Sequence, residues 1–104
     1  MSDKMIKSSI ATVQQGVAKA DGRLWLSEQQ IGFEPFNHQF GLGPYRFARS
    51  EVAESETCLG KGAGVLPITT DAIRLTLADG RVFEFLVAHP REWLEALAPE
   101  IGST

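Results

Sequence analysis

The side chains that could do chemistry are few and scattered. His38, His89 and Cys58 are the candidates for a nucleophile or a zinc ligand, and they lie far apart with no paired spacing such as Cys-x-x-Cys. His89, directly before Pro90, fits a helix entrance, and Cys58 fits a small buried hydrophobe. The segment "GKGAG" at 60–64 lacks both the Gly-Lys-Ser/Thr ending and the strand-to-helix setting of a phosphate loop, and Thr69 and Thr70 come too late to serve. It reads as a flexible linker. Carboxylates are plentiful but spread over strand faces and turns, with no pair set up for acid–base work. The expectation is a chain with no catalytic residue, cofactor or metal.

The basic side chains offer a second kind of chemistry, anion binding. "ADGR" occurs at 20–23 and again at 78–81. Asp-Gly suits a tight hairpin, where both central positions need positive φ. Both copies are expected to be turns, with Arg23 and Arg81 starting the returning strands. The flanking sequences do not match, so this is no internal repeat. With Lys19, the arginines make a candidate set of cations, but Asp21 and Asp79 accompany them and cancel much of their attraction for an anionic surface.

Composition narrows the class. The 104 residues suit one domain, and 43% hydrophobic with 22% charged residues is ordinary for a soluble globular chain. A net charge of −3 argues against nucleic acid, which needs a basic stripe. The single cysteine excludes an intrachain disulfide and fits a reducing cytoplasm. No apolar run approaches the ~20 residues of a membrane span. Lys4 and Lys7 have no apolar stretch behind them such as a secretory signal needs. The expected location is cytoplasmic.

These residues must be positioned by short strands. Residues 1–9 are expected to be a flexible start, followed by an irregular strand from Ile10 to Ala20 that Gly16 interrupts as a bulge. In "RLWLS" Leu24 and Leu26 share one face and Trp25 the other, and in "QIGFEPF" Ile31 and Phe33 fall together. "NHQFGLGP" at 37–44 is a loop carrying Phe40 and Leu42 between glycines. "YRFAR" and "VAESETCL" read as strands joined near Ser50-Glu51, and "GKGAGVLPITT" as a loop. "AIRLTLA" turns Ile73, Leu75 and Leu77 inward, while "RVFEFLVA" aligns Phe83, Phe85 and Val87. "HPREWLEALAPE" changes period: Pro90 opens a helix, Trp93, Leu94 and Leu97 form its apolar stripe, and Pro99 ends it. Such a short helix is marginal alone and must be held by packing.

Two segments carry a family resemblance. "GRLWLSEQQIGFEP" and "IRLTLADGRVFEFLVAHPREWLEAL", in this order, resemble the second and third strands and the C-terminal signature of GRAM domains, of the bacterial single-domain type. The resemblance implies a mainly β, pleckstrin-homology-like barrel. Its seven strands form two roughly orthogonal antiparallel sheets, capped by one C-terminal α-helix. The domain would span residues 10–98, leaving 99–104 as a tail. It also implies a common open rim for Lys19, Arg23, Arg81, Phe40 and Leu42. In lipid-binding relatives the basic set runs Lys, gap, Lys/Arg, one residue, Arg; here Trp25 stands at the last position.

The functional expectation is therefore a non-catalytic interaction module that binds a protein partner or self-associates, with Trp25 as interface anchor. Weak peripheral binding to anionic membrane lipid through the rim is the alternative.

Overall fold

The computed structural model describes residues 3–16, 18–37, 42–61 and 67–97. Seven strands precede one helix: β1 Met5–Gln15, β2 Ala18–Ser27, β3 Gln30–Pro35, β4 Tyr45–Ala48, β5 Val52–Lys61, β6 Pro67–Leu77, β7 Val82–Val87 and α1 Pro90–Leu97. A 3-10 turn, Arg49–Glu51, joins β4 to β5, and the Glu51 carboxylate accepts the Ala48 N–H at 3.0 Å to fix its start. The strands lie in the order β4-β3-β2-β1-β7-β6-β5, each antiparallel to its neighbours. The two sheets expected from the sequence are one continuous curled sheet, a half-barrel. Its 11-residue β1 pairs with β2 on one side and with β7 on the other.

Alternation in the sequence decides which side faces in. Leu24 and Leu26 of β2, Ile31 and Phe33 of β3, Ile73, Leu75 and Leu77 of β6, and Phe85 of β7 are all buried on the concave side. This matches the period-2 reading of those strands. β4 makes no hydrogen-bonded pairing with β5, so the curl is held by rings instead. Tyr45 and Phe47 pack on Phe83 with centroids 4.9 and 4.7 Å away, and Phe33 packs on Phe85 at 5.5 Å. Each such pair adds roughly 0.5–1.5 kcal/mol beyond its buried area. Trp93 of α1, 0% exposed, and Leu97 complete the interior. Burial raises the Tyr45 pKa, as desolvation of a phenolate should.

Three sequence expectations are corrected. The first strand begins at Met5, not Ile10. The Asp3 carboxylate accepts bonds from the Ser27 hydroxyl and the Gln29 N–H, so the N-terminal segment is tied to the β2–β3 turn. The first hairpin turns at Gly16, φ 62°, and not at Asp21-Gly22, which lies inside β2 opposite Thr12 and Ala11. Only glycine fits at position 22. A β-carbon there would collide with the Glu34 carbonyl and stand 2.6 Å from the Phe33 ring. Asp21 meanwhile accepts the Thr12 hydroxyl at 2.7 Å across the strands. The third correction concerns "GKGAGVLPITT", whose ends belong to β5 and β6. The second Asp-Gly does lie in a turn, where Gly80 N–H donates to the Leu77 carbonyl at 2.9 Å.

The two Asp-Gly glycines therefore respond differently to substitution. Gly22→Ala is expected to lower stability by about 2 kcal/mol through overpacking against β3. Gly80→Ala, in open space but at φ 96°, is expected to lose only about 1 kcal/mol. Urea denaturation of both variants measures the difference.

Candidate functional site

The outward face of β1–β3 is set by the same alternation. Ala20, Gly22, Leu24 and Leu26 point inward from β2, so Lys19, Asp21, Arg23 and Trp25 face out. The register places Ser8 beside Trp25, Ile10 beside Arg23 and Thr12 beside Asp21. From β3 it places Gly32 beside Trp25 and Glu34 beside Arg23. The Trp25 indole rests on Gly32, where a β-carbon would stand 2.8 Å from Nε1 and nearer still to ring carbons. Trp25 is half-buried in consequence. Ile10, diagonal to it, is 65% exposed, and Phe36, whose N–H donates to the Asp21 carbonyl, is 61% exposed. Arg23, also exposed, stands among these three apolar side chains. Ile10 and Phe36 were not singled out from the sequence. Ile10 had a signal, since it alternates with the buried Ala11 and Val13.

The described rim residues come from different segments of the chain. Lys19 and Arg23 lie on β2, while Arg81 is engaged in its own turn. Its Nε donates to Asp79 at 2.8 Å, its backbone N–H to the same carboxylate at 3.0 Å, and its guanidinium lies 5.6 Å from the Phe47 ring centre. Leu42 packs against the core. Phe40 lies outside the described residues.

Further along the outward face, polar groups satisfy one another. Gln14 Nε2 donates to Glu84 at 2.7 Å, and Arg74 donates to Glu84 at 2.9 Å and to Glu56 at 3.0 Å. This ladder crosses β1, β7, β6 and β5, and it raises the Arg74 pKa, through Glu84 first and Glu56 second. Gln14 and Arg74 are thereby engaged, while Glu56, Arg74 and Glu84 together keep a net negative charge.

At one end of the half-barrel Arg49 makes four contacts to backbone oxygens. Its Nη1 donates to the Ser27 and Glu28 carbonyls at 3.4 and 3.3 Å, and its Nη2 to the Ala96 and Leu97 carbonyls at 2.9 and 3.3 Å. It ties the β2–β3 turn to the C-terminal end of α1. Lys7 holds the other end, 3.6 Å from Glu92 and 5.4 Å from the centre of the Trp93 ring. Beside Arg49 runs an open groove of about 1040 Å³, lined by Met5, Ile6, Val52, Ser55, Leu97 and neighbouring polar residues.

Two predictions follow from these bonds. Arg49→Ala is expected to cost about 2 kcal/mol, since it strands helix-end carbonyls, and Arg49→Lys should recover only part of that. Chemical denaturation checks both. The Arg81 backbone N–H, first, and then its side chain hold the Asp79 carboxyl below its ordinary pKa. A carboxyl lowered in the folded state stabilises above its unfolded pKa and loses that effect as pH falls through the folded one. Asp79→Asn should therefore flatten the fall in thermal stability below about pH 4 and leave its shape above pH 6 unchanged.

The fold has solved counterparts. The C-terminal domain of an unknown protein from Leishmania infantum is 13% identical, covers 91% of this chain and 81% of its own, and superposes with a TM-score of 0.68. The Slm1 PH domain is 16% identical over 90% of this chain and 95% of its own, with a TM-score of 0.64. The linker-DH/PH structure of p115-RhoGEF is 11% identical and covers 98% of this chain, with a TM-score of 0.67, but this chain spans only 30% of that one. No family model and no curated protein matches the sequence. At these identities the likeness establishes architecture, and the chain has the pleckstrin-homology-like fold: seven antiparallel strands in a curled sheet with one C-terminal helix.

Proposed function

We propose that this chain is a non-catalytic, GRAM-like interaction module that acts in the cytoplasm. It engages a partner protein or a second copy of itself through the outward face of β1–β3. The observation that carries the reading is the exposed Ile10 beside Arg23 and the half-buried Trp25, with Phe36 next to them. Tryptophan and arginine surrounded by smaller apolar contacts is the composition of an interface hot spot. The ordered GRAM-like motifs and the pleckstrin-homology-like neighbours support a binding role, since domains of this fold commonly bind proteins or lipids. The concave side is filled by the protein's own Leu, Ile, Phe and Trp side chains, which favours binding on the outside.

The test is molar mass in solution by light scattering, paired with Ile10→Asp, a substitution at an exposed site that leaves thermal stability nearly unchanged. The expected result is an oligomer that Ile10→Asp disperses, or a monomer that crosslinks to a purified partner only while Ile10 is intact. A monomer whose partner binding ignores both Ile10→Asp and Trp25→Ala overturns the reading. Pelleting with anionic vesicles at low salt and at physiological salt would move the function to membrane lipid.

A further inference from the structure

β5 ends the sheet. It pairs with β6 on one side, and its other edge bonds to no strand among the described residues. Ser55 and Thr57 stand opposite Leu75 and Ile73, which are fully buried, so they occupy inward-facing positions. Yet both are exposed. The half-barrel wall is therefore open at the start of β5, where the groove of about 1040 Å³ lies in front of Val52 to Ser55, while Thr57 faces a second cavity beside Pro90 and Glu92 at the start of α1. Apolar side chains line that groove from three directions: Met5 and Ile6 from β1, Val52 and Ala53 from β5, and Leu97 from α1. Met5 and Ile6 are 55% and 48% exposed, and nothing in the core requires them.

The charges say what can lie there. Glu54 and Glu56 occupy the outward positions of β5, and Glu28 borders the groove. Glu56 shares Arg74 with Glu84, which leaves that trio net negative. Glu28 and Glu54 make no ion pair among the described residues. Lys4 and Arg49 also border the groove, and the four carbonyls that hold the Arg49 guanidinium do not cancel its charge, so the excess of negative charge lies on the outward side of β5, at Glu54 and Glu56. A second copy is disfavoured in the register centred on Ser55. Antiparallel pairing of two β5 edges about Ser55 would set Glu54 directly against Glu56, and like charges opposed across a ladder destabilise it.

We infer that the β5 edge is a docking site for an extended partner segment in which apolar and basic residues alternate. Such a segment adds as an eighth strand, and its main chain completes the hydrogen bonds that β5 leaves open. The period of two sends its apolar side chains into the groove over Ser55 and Leu97. The same period sends its basic side chains to the outward face beside Glu54 and Glu56. The inference rests on the chain being a protein-interaction module, but uses a surface separate from Ile10 and Trp25.

The probe is an end-capped peptide of about ten residues that alternates valine and lysine, with an alternating valine–glutamate peptide as its counterpart. Amide hydrogen exchange of the full chain is followed by NMR. The valine–lysine peptide is expected to slow exchange at β5 amides from Val52 to Cys58, and the valine–glutamate peptide to leave them unchanged. Combining Glu28→Lys with Glu54→Lys, both at exposed positions, should weaken binding about tenfold, and Ile10→Asp should not alter it. If no β5 amide slows, or if the acidic peptide binds equally well, the inference is overturned and the glutamates serve only to guard the edge. Dispersal of an oligomer by Ile10→Asp would still uphold the broader reading. Protection at β5 without any effect of Ile10→Asp on association would uphold the groove alone.

Discussion

The structure depends on one guanidinium placed where three backbone segments end. An eight-residue helix cannot satisfy its last carbonyls internally, and it would be marginal in water. Arg49 donates to two of those carbonyls and to two more in the β2–β3 turn. Its own backbone N–H bonds the Gln29 carbonyl at 2.8 Å. One side chain thus fixes where α1 stops, where β2 turns and where β4 hands over to β5. With the helix end fixed, Trp93 can fill the concave side, and with Trp93 in place the two outer strands need not meet.

That division of labour separates interior from exterior. Inside, the rings of Phe33, Tyr45, Phe47, Phe83 and Phe85 bridge strands that no hydrogen bond joins. Outside, the Gln14–Glu84–Arg74–Glu56 ladder stitches four strands. What remains on the surface is what neither system needs: the Ile10, Arg23 and Trp25 patch, and the open flank of β5.

Much of the fold was legible in the sequence because period-2 alternation depends only on local order. Leu24, Ile31, Ile73 and Phe85 declared their face without reference to anything else. The hairpin at Asp21-Gly22 was misread because the dipeptide's local preference is real but weaker than a tertiary demand. β3 passes so close that only glycine fits at 22, and the turn moved to Gly16. The candidate surface was half legible. Trp25 was found by its face, whereas Ile10 stood at the very start of the expected strand, where its alternation with Ala11 and Val13 went unused. Arg49 carried no sequence signal, since its four acceptors come from segments distant in the chain and are backbone atoms of no particular residue type.

Among the described residues β1 is the only strand that joins the early meander to the later one, and it does so by pairing with β7, some seventy positions further on, as the Gln14–Glu84 pair shows. The first four strands can zip in order as hairpins, but the sheet gains its second half only through a closure between distant parts of the chain. Such closures cost loop entropy before they return any contact, and they slow folding. A ribosome that has released β1 through β4 therefore presents a sheet whose central strand has one bare side and whose apolar concavity has no lid. For that interval the exposed edge of β1 is the part of the nascent chain most in need of a chaperone.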